Sequence, residues 1–197
     1  MSHLIQQYSL ERGSLEIEYM EQYFEEFRDR KTAAEITRRL RGREHLILIS
    51  LAPAVDDPEH TIPVAFKVGH ELRPLEPDPP LQDLQQRLSD CLDIRERRIF
   101  YSWIGGTRKE WRGQGHYRAL TEQQEEWALR NAYDELVVKT KNKFYAMRAT
   151  LDHLHFDVLK FERSRLDNGD SKMYLHKRLT PEVIRRHRTL RMVIEAA

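Results

Sequence analysis

The sequence predicts a mixed α/β (α+β) fold, a sheet with helices on both faces, and three observations predict it. Short runs rich in β-branched and aromatic residues recur at 45–51, 62–72, 99–104, 136–140, 157–161 and 172–179. Segments with helical apolar spacing alternate with them, at 15–30, 32–42, 81–93, 116–132 and 142–154. The chain has 197 residues, 40% apolar and 33% charged, with a net charge of +1, which is the composition of a folded protein with a charged skin. No apolar run approaches the ~20 residues of a membrane span. Met1 to Leu10 shows neither a basic start nor an apolar segment, so no export signal is read and a cytoplasmic location is expected.

Taken in order, Ile17, Met20, Phe24 and Phe27 form one apolar face of a first helix. Thr32 is placed to cap a second helix that ends near Gly42. His45–Leu51 is continuously apolar and reads as a buried strand, and Ile62–Leu72 as its hairpin partner across PAVDDPEH. Arg73–Pro80 carries four of the eight prolines and cannot be a central strand. Leu81, Leu84, Leu88 and Leu92 then stripe a helix, so 73–98 reads as an insertion within a single domain spanning 1–197. Strand, loop and helix follow from Ile99 to Ala132, then strand, helix and two strands joined by the DNGD turn at 167–170. Thr180-Pro181 opens a terminal helix over 180–197 with Val183, His187, Leu190 and Ile194 on one face. The predicted order is strand, two helices, two strands, insert, strand, helix, strand, helix, two strands, helix.

Charge and side-chain chemistry exclude several classes. Residues 1–30 hold seven acids against three bases, and 176–191 six bases against one acid. Without an overall basic excess, nucleic acid is not expected as a partner. The terminal helix is too short to stand alone and must pack on its own sheet or on a second copy in a homodimer. The lone Cys91 cannot form an internal disulfide and is expected to pack in the inserted helix. His153 and His155, read as two apart on a helix, make a poor metal pair, and no metal is expected. Trp103, Trp111 and Trp127 read as core or cleft-wall residues.

The unit that carries chemistry is strand–WRGQG–helix. Gly113 and Gly115 sit where a strand hands over to a helix, so backbone N–H groups can approach a ligand with no Cβ between. The first turn of the helix adds unpaired N–H groups and a partial positive charge, together a cradle for phosphate or diphosphate. A surface turn with no ligand is the other reading. The Lys-Ser/Thr of a Walker loop and the three-glycine dinucleotide spacing are both missing.

The stretch FYSWIGGTRKEWRGQGHYRALTEQQEEWA, followed by DELVVKTKNKFYAMRATLDHLHFDVLKFE, resembles the GNAT superfamily of acyl-CoA-dependent N-acyltransferases. Arg112, Gly113, Gln114 and Gly115 match the first four positions of the family loop Arg/Gln-x-x-Gly-x-Gly/Ala, and His116 takes the next. Tyr117 departs from it, standing where a small residue is usual. Thr140, Asn142, Met147 and His155-Phe156 are similar to the second half of the family's coenzyme segment, with His155 where Gly is usual. The resemblance runs from Arg98 to Arg178; before residue 72 only the order of elements agrees.

The resemblance implies a mixed central sheet of about six to seven strands and transfer of an acetyl or short acyl group from coenzyme A. The acceptor it implies is an amine on a small molecule or peptide. It implies that backbone groups of Gly105, Gly106 and Thr107 meet the pantetheine arm, that the N–H groups of Arg112–Tyr117 hold the diphosphate, and that Asn142 bonds the arm. Asn142 as a helix N-cap and Gly105-Gly106 as a bulge are the structural alternatives. The family's acid and base are hard to place: Ile99–Thr107 has no Asp, Glu or His, and Leu151 falls where a Tyr is usual. Tyr145 is the nearest candidate acid, or else an aromatic packed on the sheet. His70, Glu71, Glu110 and His116 are candidate bases, none singled out by spacing. A non-catalytic acyl-CoA-binding module or an interaction protein on the same fold would suit the missing pair.

Overall fold

A computed structural model describes residues 3–10, 15–24, 31–54 and 56–187. Its elements are β1 (Leu4–Tyr8), α1 (Leu15–Tyr23), α2 (Ala33–Leu40), β2 (His45–Pro53), β3 (Thr61–Leu72), α3 (Pro79–Leu88), β4 (Ile99–Thr107), α4 (His116–Arg130), β5 (Glu135–Lys141), α5 (Tyr145–His153), β6 (Asp157–Glu162) and β7 (Lys172–Arg178). Residues 181–187 are also helical. The seven strands form one sheet in the order β1-β2-β3-β4-β5-β7-β6. This is the mixed α/β fold the sequence predicts. The chain divides into two compact units, 1–70 with 103–124 and 71–102 with 125–197.

In the first unit β1, β2 and β3 form an antiparallel meander, with Ile5 opposite Ser50 and Ser50 opposite Ala65. Side chains alternate across a strand. Ile47, Ile49, Phe66 and Val68 therefore share one face, and Ile17, Met20, Phe24, Ile36 and Leu40 of the α1–α2 region pack on it as one core. Phe24 and Phe66 meet edge to face, with centroids 4.6 Å apart. Thr32 caps α2 as read from the sequence: its hydroxyl accepts the Glu35 N–H at 3.1 Å, and the Glu35 carboxylate accepts the Thr32 N–H at 3.0 Å. The opposite face of the same strands presents Ser50 and Lys67 to the start of α4, through His116 and Tyr117.

In the second unit β4 runs parallel to β5 from Ile99 to Ser102, and β5–β7 and β7–β6 are antiparallel. The helix α3 starts at Pro79 and Pro80, where the missing N–H costs nothing, and ends at Leu88. It is thus shorter than the expected 81–93. Leu81, Leu84 and Leu88 are buried, and Arg87 bonds Glu162 of β6 at 2.8 Å. On the other face Trp127 of α4 packs with Phe100 and Tyr133.

Several expectations change. The first strand, which the sequence reading left without bounds, is Leu4–Tyr8. Cys91 is exposed beyond the end of α3, so it does not pack. The helix α5 begins at Tyr145, three residues later than read, because 142–144 form a turn held by Asn142 N–H to Ser171 O and Lys143 N–H to Gly169 O. His155 lies past its end at φ 59°, in the left-handed conformation that a helix terminus favours, so His153 and His155 do not share a helix. In the terminal helix Ile184 is the buried residue, with Val183 and His187 half-buried beside it. Phe27, Leu190 and Ile194 lie outside the described residues.

Candidate functional site

The glycine loop is built entirely in the first unit. β4 ends at Thr107, where the Arg108 N–H is tied to Val64 O of β3 at 2.9 Å. One 3-10 turn, Lys109–Trp111, then swings the chain back. The Arg112 side chain closes the turn by donating from Nε to Thr107 O at 3.1 Å, and its N–H donates to Lys109 O at 3.3 Å. Gly113 and Gly115 follow at φ 78° and 83°, values that side chains with a Cβ rarely adopt. Glycine is required here by backbone conformation.

The sequence proposed N–H donors from Arg112 to Tyr117. The Arg112 N–H is consumed in the turn. Those of Gly113, Gln114, Gly115, His116 and Tyr117 make no hydrogen bond to any described residue. Within the first turn of α4 the Ala119 N–H donates to Gly115 O at 3.0 Å. N–H groups at a helix start in general favour an anion.

Beside the loop lies a polar row of which the sequence reading named His116 and Tyr117 and missed Ser50, Lys67 and His3. His116 is buried, shares a 2.9 Å hydrogen bond between Nδ1 and Ser50 Oγ, and meets the rings of His3 at 4.5 Å and Trp111 at 5.9 Å. Burial foremost, and then the nearby His3, hold its imidazole below the ordinary histidine range. Lys67 is fully buried and donates to the Tyr117 hydroxyl at 3.0 Å. The signal was available: Ser50 and Lys67 are the polar residues inside the apolar runs HLILISL and VAFKV. Tyr117, the departure from the family loop, finds its space against Gly105. A Cβ at position 105 would lie 3.2 Å from Tyr117 Cε2 and 3.0 Å from Phe66 O. So Gly105 continues β4 rather than ending it in a bulge, and α4 begins at His116 unaltered.

Of the candidate bases, His70 is buried edge-on to Trp103 and Glu110 pairs with Arg108 at 2.6 Å. In the second unit Glu71 pairs with Arg73. Asn142 is not an N-cap; that position is Phe144. Its amide donates to Asn168 O at 3.2 Å and accepts from Arg148 at 2.6 Å, leaving one N–H and one lone pair in hand. Thr140 donates to the Met147 sulfur at 3.4 Å, fixing α5 over β5. Tyr145 is 68% exposed at the head of α5, which removes the reading that packs it on the sheet. Trp103, Trp111 and Trp127 are half-buried.

No family model matches the chain, and no curated protein matches it. Solved structures do. The chain is similar to the NatC complex bound to Gag peptide and CoA, at TM-score 0.66 and 14% identity over 91% of this chain and 100% of that one. It is similar to NAA60 of Arabidopsis thaliana in complex with acetyl-CoA, at TM-score 0.66 and 10% identity over 90% and 99%. The ribosomal-protein-S18-alanine N-acetyltransferase of Escherichia coli gives TM-score 0.59 at 12% identity over 91% and 95%. The chain has the fold of the GNAT acetyltransferases.

Proposed function

We propose that this protein transfers an acetyl or short acyl group from coenzyme A to an amine, carried by a small molecule or a peptide. The observation that carries the reading is the row of five N–H groups, Gly113 to Tyr117, at the head of α4 in a GNAT fold, none of them bonded to a described residue. A diphosphate is the group such a row fits best. That solved neighbours are bound to CoA or acetyl-CoA supports the choice of co-substrate.

In the reaction, the lone pair of a neutral amine attacks the thioester carbonyl carbon. The C–N bond forms, the C–S bond breaks and the thiolate departs. An amine with a free pKa near ~10 must first lose a proton to a base, and the thiolate gains one from an acid. In this reading backbone groups of Gly105–Thr107 meet the pantetheine arm, Asn142 supports it with its remaining N–H, and Tyr145 is the candidate acid.

Calorimetric titration with acetyl-CoA, followed by thiol release with a panel of amines, tests the proposal. Binding that weakens in Gly115→Ala, where a Cβ strains the φ of 83°, and release of CoA with at least one amine are the expected results. A protein that binds no acetyl-CoA would overturn it.

A further inference from the structure

The glycine loop has an anchor outside the loop and its helix. His3, just ahead of β1, places its imidazole Nε2 2.9 Å from the Gln114 carbonyl oxygen. A carbonyl can only accept, so Nε2 carries the proton and donates. The ring stands edge-on to His116 at 4.5 Å, and a Cβ built on Gly115 would lie 3.5 Å from its Cε1. Its position is imposed from both sides. Pairing of Leu4 with Leu51 and Ile5 with Ser50 fixes the strand that carries His3. Ser50, on that same neighbouring strand, fixes His116.

The contact bears on the Gly115 N–H. In a trans peptide the carbonyl of one residue and the N–H of the next point in opposite directions. Holding the Gln114 carbonyl toward His3 therefore turns the Gly115 N–H to the opposite side, where no described group takes it. Gly115 is the residue best able to let this peptide rotate, since glycine tolerates both signs of φ. A rotated peptide would present a carbonyl oxygen where the donor stood, and an oxygen dipole repels an anion. One hydrogen bond thus selects between a donor and an acceptor at the centre of the row.

We propose that His3 is a positioning residue of the anion cradle, fixing the Gln114–Gly115 peptide with its N–H toward the diphosphate of coenzyme A. The inference rests on the function proposed above. It concerns orientation, so a ligand without the diphosphate should be indifferent to it.

The test compares His3→Ala, His3→Phe and His3→Gln with the unaltered protein in titrations with acetyl-CoA and with acetyl-pantetheine. Phe keeps the ring against His116 without the donor, and Gln restores an N–H donor. Ala and Phe should each weaken acetyl-CoA binding by about fivefold, the loss of one hydrogen bond's worth of orientation, with acetyl-pantetheine unchanged and Gln near the original. Acetyl-CoA affinity in both Ala and Phe equal to that of the unaltered protein overturns the role of His3 alone. Parallel loss of both ligands also overturns it, marking His3 as merely structural. Failure of the unaltered protein to bind acetyl-CoA overturns the functional reading and this inference with it.

Discussion

Lys67 lies under the Tyr117 ring with its ammonium 3.0 Å from the phenol oxygen and 4.2 Å from the ring centroid. One cation thus ties the centre of β3 to the first turn of α4 through both the oxygen and the aromatic face. Burial pushes the Tyr117 phenol well above its ordinary value, so it stays neutral and can accept from the ammonium at any working pH. Removing the oxygen takes one hydrogen-bond acceptor from a buried ammonium. Tyr117→Phe should destabilise the protein by about 1–3 kcal/mol in urea denaturation. Lys67→Met combined with Tyr117→Phe should cost less than the two single changes added together.

A second buried cation predicts the same pattern in the other unit. Lys177 and Glu125 pair at 2.7 Å with 3% and 4% of their side chains exposed. Breaking such a pair removes the counter-ion of a buried charge, so Glu125→Leu or Lys177→Met alone should cost about 3–5 kcal/mol. Glu125→Leu with Lys177→Met should recover most of that, since no charge is then left behind. Chemical denaturation of the four proteins gives the coupling directly.

Acid should loosen the terminal helix through His187. Its ring lies against that of His155, tilted by 33° with centroids 4.3 Å apart. Burial first, then Lys177, His155 and Arg186, lower its pKa to about 4 from the ordinary 6.5, against a weaker opposing pull from Asp157. Between those values the unfolded chain binds more protons than the folded one. The stabilisation is therefore complete above pH 6.5 and is lost as the pH falls toward 4. His187→Phe should flatten this part of the stability–pH curve, and an unchanged slope would assign it to other groups.

Asn142→Ala should raise KM for the thioester with kcat little changed, losing about 1 kcal/mol for the unmade bond. Tyr145→Phe should leave KM alone and lower kcat. Equal turnover would remove Tyr145 from the chemistry, its exposure being no obstacle to the substitution.

Where one face is buried and the other wet, or both are buried, the elements could be read from composition: the runs that became β2, β3 and β5, and the Thr32 cap, are of this kind. β1 could not be bounded, because LIQQY alternates weakly and takes its strand form from pairing with β2. The stretch 142–144 has helical composition, yet its N–H groups are claimed by Ser171 and Gly169, distant in sequence. The glycine turn ahead of α4 was legible because the positive φ of Gly113 and Gly115 is local backbone geometry. The side chains that hold it were not: His3 is 111 residues from Gln114, and Ser50 is 66 from His116. Long-range polar contacts leave only a faint trace, a lone polar letter in an apolar run.

The interleaving of the two units sets what a broken chain can do. Cleavage in the proline-rich connection at 73–78 would send His3, Ser50 and Lys67 away on one fragment. The glycine loop, His116 and Tyr117 would leave on the other, although all belong to the same unit. The N-terminal piece would carry one face of the meander uncovered, and the C-terminal piece the glycine loop without His3, Ser50 and Lys67. Neither is expected to hold coenzyme alone. Mixed together they should reassociate, so recovery of acetyl-CoA binding becomes a direct assay of complementation between two halves of a severed protein.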